Sequence, residues 1–568
     1  MEKIWKTKKE NENFSKLSGV PKLIARLLVN RGITDEAGLK KFFEPKYEEL
    51  TDPFIFCDMK KAVDRILKAG QAREKILIYA DYDADAITAL SVVYLGLRKL
   101  DIEVSYYIPN RFSEGYGLNQ DAARKIIQDG FKLVITVDCG INAVEESLLF
   151  KQSGVDFIVT DHHELTGVLP DAFAVINPKN PHDKYPYPYL TGVGVAFKLI
   201  QALFFRIKNQ ESRIKVLEGW EKWLLDLVAI GTVADCQTLI GENRILVHFG
   251  LRVLSKTIWP GLKKLLDLAG YGNGRKLDAY TLGFIIAPRI NAAGRITHAE
   301  SSFKLLTTTS SEEAVSLAEE LNFLNSKRQT LTEQILSEAR EQADNYGLEK
   351  IIIVSGRDWP KGVIGLVAGK LVEEYGKPAL AIEISEGKAS GSARSVEQYN
   401  IVAALDACKE LLTKYGGHHQ AAGFSLAADN LDVFSQKIRK HANNSFVDSN
   451  LTPVIYYDSE ITPDELNFDL LNYLEKFEPY GVGNPHPRFV ASSVELLSFN
   501  TVGSESKHLR CYLRFGQKSF NAIAFNRGFM ANNLKSSQNL DILFEPMINE
   551  YNGNKEIQLK IIDLKTHA

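Results

Sequence analysis

The stretch KILIYADYDADA, residues 75–86, decides the fold of this chain. It begins as a short, continuous apolar run and ends in three aspartates within five residues. Three further apolar runs follow along the chain, with segments of helical pattern between them: IEVSYYIP (102–109), FKLVITVD (131–138) and VDFIVTD (155–161). Fully apolar strands that alternate with helices predict a parallel β-sheet covered by helices on both faces.

Acidic and imidazole side chains stand where three of these predicted strands end. They are Asp81, Asp83 and Asp85 after the first strand, Asp138 after the third, and Asp161, His162 and His163 after the fourth. Ligands of open parallel sheets bind beyond the carboxyl ends of the strands. A further acid, Asp235 in GTVADC, closes an apolar run in a later helical region.

Single acids at strand ends are commonly helix caps or solvated loop residues. A set of this size repels itself unless a cation lies among its members. Carboxylate oxygens with one or two imidazoles suit Mn²⁺ or Mg²⁺ better than a thiolate-preferring ion. Two such ions can hold the attacking and leaving oxygens of a phosphoryl displacement. The set therefore favours a site for Mn²⁺ or Mg²⁺, with two ions expected.

The rest of the chain divides by pattern. Short helices ending at Pro45 are expected near the N-terminus, and helical sequence dominates 194–268. A segment from Ser310 to Gly347 has capping-box spacing at its start and predicts one long helix or a helix pair. An α/β pattern restarts near 348, and the last part is strand-like. The expected regions are an N-terminal helical segment (1–50), a catalytic domain (51–305), a connecting helix (306–347), a second α/β domain (348–447) and a C-terminal domain (448–568).

Composition excludes several classes of protein. The chain has 568 residues, 45% hydrophobic and 24% charged, which is typical of a soluble protein with about three or four domains. Its net charge of −3 gives no global sign of nucleic-acid binding. Five dispersed cysteines argue against a disulfide framework or a structural zinc site. We expect no secretory signal, no membrane segment and a cytoplasmic location.

Four motifs carry a family resemblance. DYDADA, VDCG, DHHE and VADC, in this order, resemble the motifs of the DHH phosphoesterase superfamily. Further stretches resemble the bacterial RecJ exonuclease family: IPNRFSEGYGLN, LTGVGVAFKL, APRINAAGRI, GSARS, GGHHQAAGF and EPYGVGNPHPRF. The resemblance implies an α/β fold in which a parallel-sheet DHH lobe and a smaller DHH-associated lobe are joined by a long helix, followed by a C-terminal β-barrel of the oligonucleotide-binding (OB) type.

The activity implied by the resemblance is that of a metal-dependent 5′-to-3′ exonuclease. It would hydrolyse single-stranded DNA to mononucleotides in DNA repair and recombination. The partners implied are single-stranded DNA with a 5′ end, a single-stranded-DNA-binding protein and a RecQ-type helicase, with no membrane partner and a monomeric state. An alternative is a DHH-family phosphodiesterase for short oligonucleotides or cyclic dinucleotides, which would leave residues 453–568 unexplained. A non-catalytic scaffold is a third reading, which the intact acids disfavour.

The resemblance also assigns roles by motif position. The metal ligands would be Asp83, Asp85, Asp138, His162 and Asp235, with Asp138 as the bridge between two ions. Asp81 would be a further ligand or a partner that orients one. His163 would contact the scissile phosphate and complete the catalytic set.

Residues that hold a nucleic-acid strand should combine cations with aromatic faces. The candidates are Arg111, Arg289, Arg295, Ser392 and Arg394 around the 5′-phosphate, Tyr116 as a stacking residue, Gly417 and His418 in the GGHH motif, and Lys507 and Arg510 in the C-terminal region. A strand-borne platform of Tyr512, Phe515 and Phe520 is expected beside the last two. A solvated edge hairpin would show the same alternation, and a helix cap followed by a turn would explain the paired glycines.

The sequence departs from the family pattern near the acids. Ala80 and Ala86 stand where the family has glycine, Tyr79 where the superfamily often has a metal-binding histidine, and Pro360 where many relatives have histidine. We expect activity to survive these changes because every acid is present. The alanines are expected to shift metal geometry or affinity, since each adds a methyl group to the backbone.

Overall fold

The computed structural model describes residues 3–8, 17–208, 217–272, 274–344, 347, 349–446, 453–551 and 553–566. The chain divides into two compact units. The larger unit comprises Thr51–Gln237 and Phe249–Thr452, and the smaller unit comprises Met1–Leu50, Thr238–His248 and Pro453–Ala568.

The described residues form α-helices between Lys22 and Glu475. The α-helices are α1 Lys22–Val29, α2 Glu36–Phe43, α3 Met59–Gln71, α4 Ala84–Lys99, α5 Gln120–Gln128, α6 Val144–Gln152, α7 Gly192–Lys208, α8 Leu225–Ala234, α9 Glu242–Leu254, α10 Pro260–Leu268, α11 Ala287–Ile296, α12 Glu300–Thr307, α13 Ser311–Asp344, α14 Lys361–Tyr375, α15 Ile401–Asp406, α16 Leu431–Ser445 and α17 Phe468–Glu475. A π-helical segment, Thr281–Ile286, leads directly into α11. Within the described part of the chain, no helix combines the length and the apolar character that crossing a bilayer requires.

The strands fall into four sheets. They are β1 Ile4–Thr7, β2 Ile76–Ala80, β3 Ser105–Tyr107, β4 Leu133–Val137, β5 Asp156–Thr160, β6 Ala174–Ile176, β7 Ile352–Arg357, β8 Ala379–Ser385, β9 Lys388–Arg394, β10 Leu412–His418, β11 Ala421–Ala427, β12 Val454–Tyr457, β13 Ser459–Glu460, β14 Phe489–Val502, β15 His508–Phe515, β16 Lys518–Ala524, β17 Asn539–Tyr551 and β18 Asn554–Thr566.

A five-stranded parallel sheet, in the order β3-β2-β4-β5-β6, forms the centre of the larger unit. Every residue of β2 and β4 is buried, which explains why these strands read as continuous apolar runs. The predicted parallel sheet is confirmed. The second predicted strand is much shorter than its sequence pattern, and the three-residue strand β6 was not predicted because so short a run carries little pattern.

The register of this sheet aligns the carboxyl ends of three of its strands. Ala80 pairs with Val137, and Val137 pairs with Thr160, so β2, β4 and β5 end at one level. The acids that follow each of these strands therefore emerge side by side at one edge of the sheet.

A second sheet of the larger unit has the order β10-β11-β9-β8-β7, in which only β7 and β8 run parallel. The predicted long segment before it is a single helix of 34 residues, α13, rather than a helix pair. Ser310 accepts a hydrogen bond from the backbone N–H of Glu313 at 3.3 Å, as the spacing of the two residues predicted. Helix α13 packs against α10 and α11 on one side and α14 on the other.

The smaller unit contains a closed five-stranded β-barrel in the order β14-β15-β16-β18-β17, which is closed by pairing between β14 and β17. The predicted barrel is confirmed. Its core includes Leu496, Leu513 and Leu540, and residues of helix α1 share this core. Helix α1 and the barrel therefore bury their apolar faces together, which the sequence does not reveal because Val29, at the end of α1, and Phe489, at the start of the barrel, are about 460 residues apart.

The Arg244 guanidinium ties three segments of the smaller unit together. It donates hydrogen bonds to the carbonyls of Phe42 at 3.0 Å, Lys476 at 2.9 Å, Phe477 at 2.8 Å and Glu478 at 2.8 Å. Its carbon lies 3.8 Å from the centroid of the Phe42 ring. The side chain is buried, so these carbonyls depend on it for their hydrogen bonds.

We predict that Arg244→Lys lowers the free energy of unfolding by about 2–4 kcal/mol, since a lysine ammonium cannot reach all four carbonyls and leaves some of them buried without a donor. Urea denaturation measures the change. The control is Arg514→Lys, an exposed partner of Glu495, which should change the free energy of unfolding by less than about 1 kcal/mol. Equal midpoints for the two variants would contradict the role of Arg244.

Candidate metal centre

The acids of the centre leave the sheet at its carboxyl edge. Asp138 follows β4, and its backbone N–H still donates to the Thr160 carbonyl at 3.0 Å. Its φ is +59°, a left-handed conformation that non-glycine residues seldom adopt. Such strain is typical of functional sites, where the surrounding structure enforces it. Asp81 directly follows the last residue of β2 and is 1% exposed.

Two further acids are placed by the start of α4. Asp83 caps this helix and accepts a hydrogen bond from the backbone N–H of Ala86 at 3.0 Å. Asp85 lies in the first turn and accepts from the backbone N–H groups of Gly192 at 2.7 Å and Val193 at 3.0 Å. Those N–H groups belong to the first turn of α7, where the helix dipole favours a negative charge.

His162 lies at the middle of the acid cluster. Its Nε2 atom is 3.1 Å from Asp138 Oδ1, 3.7 Å from Asp235 Oδ2 and 3.9 Å from Asp85 Oδ2. Asp235 reaches the cluster from the C-terminal end of α8. Two groups of candidate ligands share His162: one with Asp138 and His163, the other with Asp85 and Asp235. In each group the ligand atoms lie within 4.8 Å of one another.

Several buried atoms of the cluster have no hydrogen-bond partner among the described residues. These are both carboxylate oxygens of Asp81, Oδ1 of Asp138, both ring nitrogens of His162 and Oδ2 of Asp235. Leaving polar atoms buried without a partner is costly. Oxygen and imidazole ligands fit Mn²⁺ or Mg²⁺, which would satisfy these atoms and neutralise the acids. The residues present therefore fit the divalent cation predicted from the sequence.

The electrostatics of the centre show the same need for a cation. Burial, together with the charges of the neighbouring carboxylates, raises the pKa of Asp85 and of Asp138 well above its ordinary value. The same causes raise the pKa of Asp235 to about 7. Burial lowers the pKa of His162 to about 3, so its imidazole is neutral and can offer a lone pair to a metal.

His163 has a different environment. Its Nδ1 lies 2.7 Å from Asp161 Oδ1, and its Nε2 lies 3.0 Å from the hydroxyl of Tyr116. Although burial opposes it, the hydrogen bond to Asp161 and the surrounding carboxylates raise the pKa of His163 to about 9. His163 is therefore a cation at neutral pH, suited to contact a phosphate.

Asp161 is the residue of the centre that the sequence analysis did not assign. It is 1% exposed and accepts hydrogen bonds from the backbone N–H groups of Ile141, His162 and His163 as well as facing the His163 ring. It therefore fixes the orientation of His163. Its position at the start of the DHHE motif was the signal that could have identified it.

Glycines bring the surrounding helices close to the acids. A Cβ atom on Gly192 would lie 2.4 Å from Asp138 Cβ and Oδ1, and one on Gly231 would lie 2.7 Å from Asp85 Oδ1. A Cβ on Gly294 would lie 2.7 Å from the carbonyl oxygen of Tyr82. Each glycine permits a helix to pack against the centre at a distance that no other residue allows.

Three predicted substrate arginines lie together beside the centre. Arg111 lies over the Tyr82 ring, Arg295 donates to the Gly362 carbonyl at 3.0 Å, and Arg394 donates to Ser392 Oγ at 3.2 Å. Burial and the positive charges of Arg111 and Arg328 lower the pKa of Arg295 to about 10. Clustered guanidinium groups of this kind are suited to bind an anion.

Other predicted substrate residues belong to other strands and, in part, to the smaller unit. Gly417 and His418 end strand β10, rather than following a helix, and His418 pairs with Ala421, which pairs with Arg394 on the next strand. Lys507 and Arg510 belong to the smaller unit. There, Tyr512 is 43% exposed, but Phe515 and Phe520 are buried in the barrel core. The predicted three-residue aromatic platform is therefore wrong, because two of its side chains face inward.

The residues that depart from the family pattern are accommodated in the core. Ala80 and Ala86 are fully buried. The Tyr79 hydroxyl donates to the Gly117 carbonyl at 2.9 Å, and its ring stacks on Tyr107. This tyrosine therefore packs within the core of the lobe. Pro360 precedes the first residue of α14.

Comparison with known proteins agrees with this fold and site. Models of three domain families match the chain: the DHH family, N-terminal domain at residues 75–232, the DHHA1 domain at 348–444, and the RecJ OB domain at 457–563. The first two define the class, a DHH-type hydrolase with a metal-binding acid cluster.

Relatives at higher similarity define the family. The single-stranded-DNA-specific exonuclease RecJ of Bacillus subtilis is 38% identical over 95% of this chain and 67% of its own length. The RecJ of Haemophilus influenzae is 32% identical over 90% of this chain and 92% of its own length. The crystal structure of RecJ from Thermus thermophilus in complex with Mn²⁺ matches with a TM-score of 0.84 and 28% identity, over 100% of this chain and 79% of that one. The chain belongs to the RecJ exonuclease family.

We predict that Gly192→Ala weakens Mn²⁺ binding by about tenfold or more, because the added methyl group displaces Asp138 and misplaced ligands cost affinity. Isothermal titration calorimetry measures the affinity. Gly194→Ala is the matched control in the same helical turn, where the new methyl group would meet its nearest neighbour at 3.3 Å. Equal Mn²⁺ affinity of the two variants would show that Gly192 does not set the position of Asp138.

Proposed function

We propose that this protein is a divalent-metal-dependent exonuclease that degrades single-stranded DNA from its 5′ end to mononucleotides. The observation that carries the proposal is the buried cluster around His162, in which oxygens of Asp81, Asp138 and Asp235 and both His162 ring nitrogens have no hydrogen-bond partner among the described residues. Membership of the RecJ family supports the nucleic-acid substrate. The RecJ OB domain match accounts for residues 457–563, which a phosphodiesterase for short substrates would leave without a role.

Asp83, Asp85, Asp138, His162 and Asp235 would hold the metal, and Asp81 would be a further ligand or would support one. A bound Mn²⁺ or Mg²⁺ supplies Lewis-acid activation of water and of the phosphoryl group. The protein contributes fixed ligand positions, since α7 holds Asp85 and the positive φ of Asp138 aims its carboxylate into the cluster.

The proposed role of His163 is to stabilise negative charge on the scissile phosphate. Its imidazolium is oriented by Asp161 before any substrate arrives, and preorganised charge of this kind is the largest contribution in many enzymes. The Tyr116 hydroxyl accepts a hydrogen bond from the Nε2–H of the same imidazolium, and Tyr116 is 57% exposed, so its face is open to a nucleobase.

The cation cluster supports recognition of a 5′-phosphate. Besides burial, the charges of Arg111 and Arg394 lower the pKa of Arg295, and the charge of Arg111 lowers the pKa of Arg394, so a phosphate among the three guanidinium groups relieves their repulsion. Ser392 Oγ adds a hydroxyl to the group. A pocket for a terminal phosphate fixes the end from which the strand is digested, which is the physical basis of the proposed polarity.

Further contacts with the strand, beyond its terminal nucleotides, are proposed for Arg289, Gly417, His418, Lys507 and Arg510.

The protein is proposed to act as a cytoplasmic monomer in DNA repair and recombination. It would receive single strands opened by a RecQ-type helicase and covered by a single-stranded-DNA-binding protein.

We predict that Asp138→Asn lowers exonuclease activity by at least about 1,000-fold while the fold and strand binding persist, because the amide removes a negative charge at the centre of the ligand set. Asparagine tolerates the positive φ at this position, so the backbone is kept. The assay follows a 3′-labelled, 5′-phosphorylated single strand with Mn²⁺. Asp129→Asn, at an exposed helix end, is the control. Undiminished cleavage by Asp138→Asn would overturn the assignment.

A further inference from the structure

An exposed pair of stacked aromatic rings lies on the π-helical segment Thr281–Ile286 and the residue before it. The rings of Tyr280 and Phe284 have centroids 4.8 Å apart and planes 19° apart. Tyr280 is 59% exposed and Phe284 is 68% exposed. Single exposed apolar side chains are common, but contiguous exposed aromatic surface often marks a binding site, and π-helical segments are frequent at functional sites.

This segment lies next to the metal centre. A Cβ atom on Gly283 would lie 3.3 Å from Val233 Cγ1, so the π-helical turn packs tightly on the end of α8. Val233 is two residues before the candidate ligand Asp235. The aromatic pair therefore stands beside the helix end that carries a metal ligand.

Two cations without acidic partners follow the aromatic pair. Arg289 donates to the Ile285 carbonyl at 2.7 Å and to Asn322 Oδ1 at 3.1 Å, which holds its guanidinium beside the π-helical turn. Arg328 donates to Asn325 Oδ1 at 2.9 Å. Across the described ranges, neither guanidinium forms an ion pair with a carboxylate.

The two cations continue the cluster already described. Arg289 is close enough to Arg328 to lower its pKa, and Arg328 has the same effect on Arg295. The two guanidinium groups are also held by neighbouring positions of one helix, since Arg289 donates to Asn322 and Arg328 to Asn325, three residues apart on α13. Neighbouring unneutralised positive charges match the repeating charge of a nucleic-acid backbone.

We propose that Tyr280 and Phe284 form a base-stacking platform for single-stranded DNA, and that Arg328 and Arg289 bind the backbone phosphates of the same nucleotides. This inference rests on the proposed function and extends it to the nucleotides that follow the terminal one. Planar rings accept any base, and the guanidinium groups contact only phosphates, so the platform holds a strand without reading its sequence.

The test of stacking measures the affinity of a fluorescein-labelled 20-nucleotide single strand by anisotropy, with Asp138→Asn present throughout to prevent cleavage. Phe284→Leu is expected to weaken binding by about five- to 100-fold, since stacking contributes about 1–3 kcal/mol per base. Phe284→Tyr should restore affinity to within about twofold, because it keeps a planar ring.

Phe323→Leu is the matched control. Phe323 is 65% exposed and lies on α13, two residues from the buried Asn325, so it faces away from the side that carries Arg328. Its replacement should leave affinity within about twofold of the parent. Equal losses at Phe284 and Phe323, or no loss at Phe284, would overturn the platform.

The phosphate contacts are tested by salt dependence. Arg328→Gln should reduce the slope of log affinity against log salt concentration by about one, as expected for the loss of one phosphate contact. Arg340→Gln, on the same helix but paired with Glu333 and Glu374, should leave the slope unchanged. An unchanged slope for Arg328→Gln would remove that residue from the proposal.

Cleavage assays separate this inference from the proposed function. In the unmutated background, Phe284→Leu should raise KM for the long strand but leave hydrolysis of a 5′-phosphorylated thymidine dinucleotide unchanged, since the dinucleotide ends before the platform. A protein that binds strands through Phe284 yet cuts none would overturn the proposed function and keep the platform. Undisturbed long-strand degradation by Phe284→Leu would overturn the platform and leave the proposed function standing.

Discussion

Repulsion among buried carboxylates is the constraint on which this structure depends. The parallel sheet delivers Asp81, Asp138 and Asp161 to one edge, and helices α4 and α8 add Asp83, Asp85 and Asp235. Packing alone does not stabilise such a set, because burial and the charges of neighbouring carboxylates raise the pKa of Asp85 and of Asp138 well above the ordinary value. A divalent cation converts the same arrangement from unfavourable to favourable. The surrounding backbone and helices hold the candidate ligands in position for that cation.

The candidate ligands are held mostly by backbone features. Backbone N–H groups at the start of α7 bind Asp85, and the left-handed backbone conformation of Asp138 directs its own carboxylate into the cluster. Gly192 and Gly231 allow two helices to pack closely against the acids. Positive charge borders the acids. His163 is held by Asp161, and the guanidinium group of Arg295 lies near those of Arg111 and Arg328. Candidate metal ligands and candidate phosphate contacts are thereby neighbours in this lobe.

Much of this arrangement could be predicted from the sequence. Continuous apolar runs identify β2 and β4 because both faces of a parallel sheet are buried, and motif order predicts the ligands. Other features depend on contacts between distant segments, which local pattern does not encode. Strand β6 was too short to detect, the inward direction of Phe515 and Phe520 follows from the closure of the barrel, and the shared core of α1 and the barrel joins opposite ends of the chain. The exposure of Tyr280 and Phe284 is likewise a tertiary property, which depends on how the surrounding helices pack.

Anomalous diffraction from crystals grown with saturating Mn²⁺ tests the central claim most directly. The account predicts manganese density bounded by Asp85, Asp138, His162 and Asp235, with the carboxylates turned toward it. Replacement of His162 by alanine should remove or displace that density. A fully ordered cluster with no manganese at saturating concentration, or manganese bound only at other surfaces, would contradict the account.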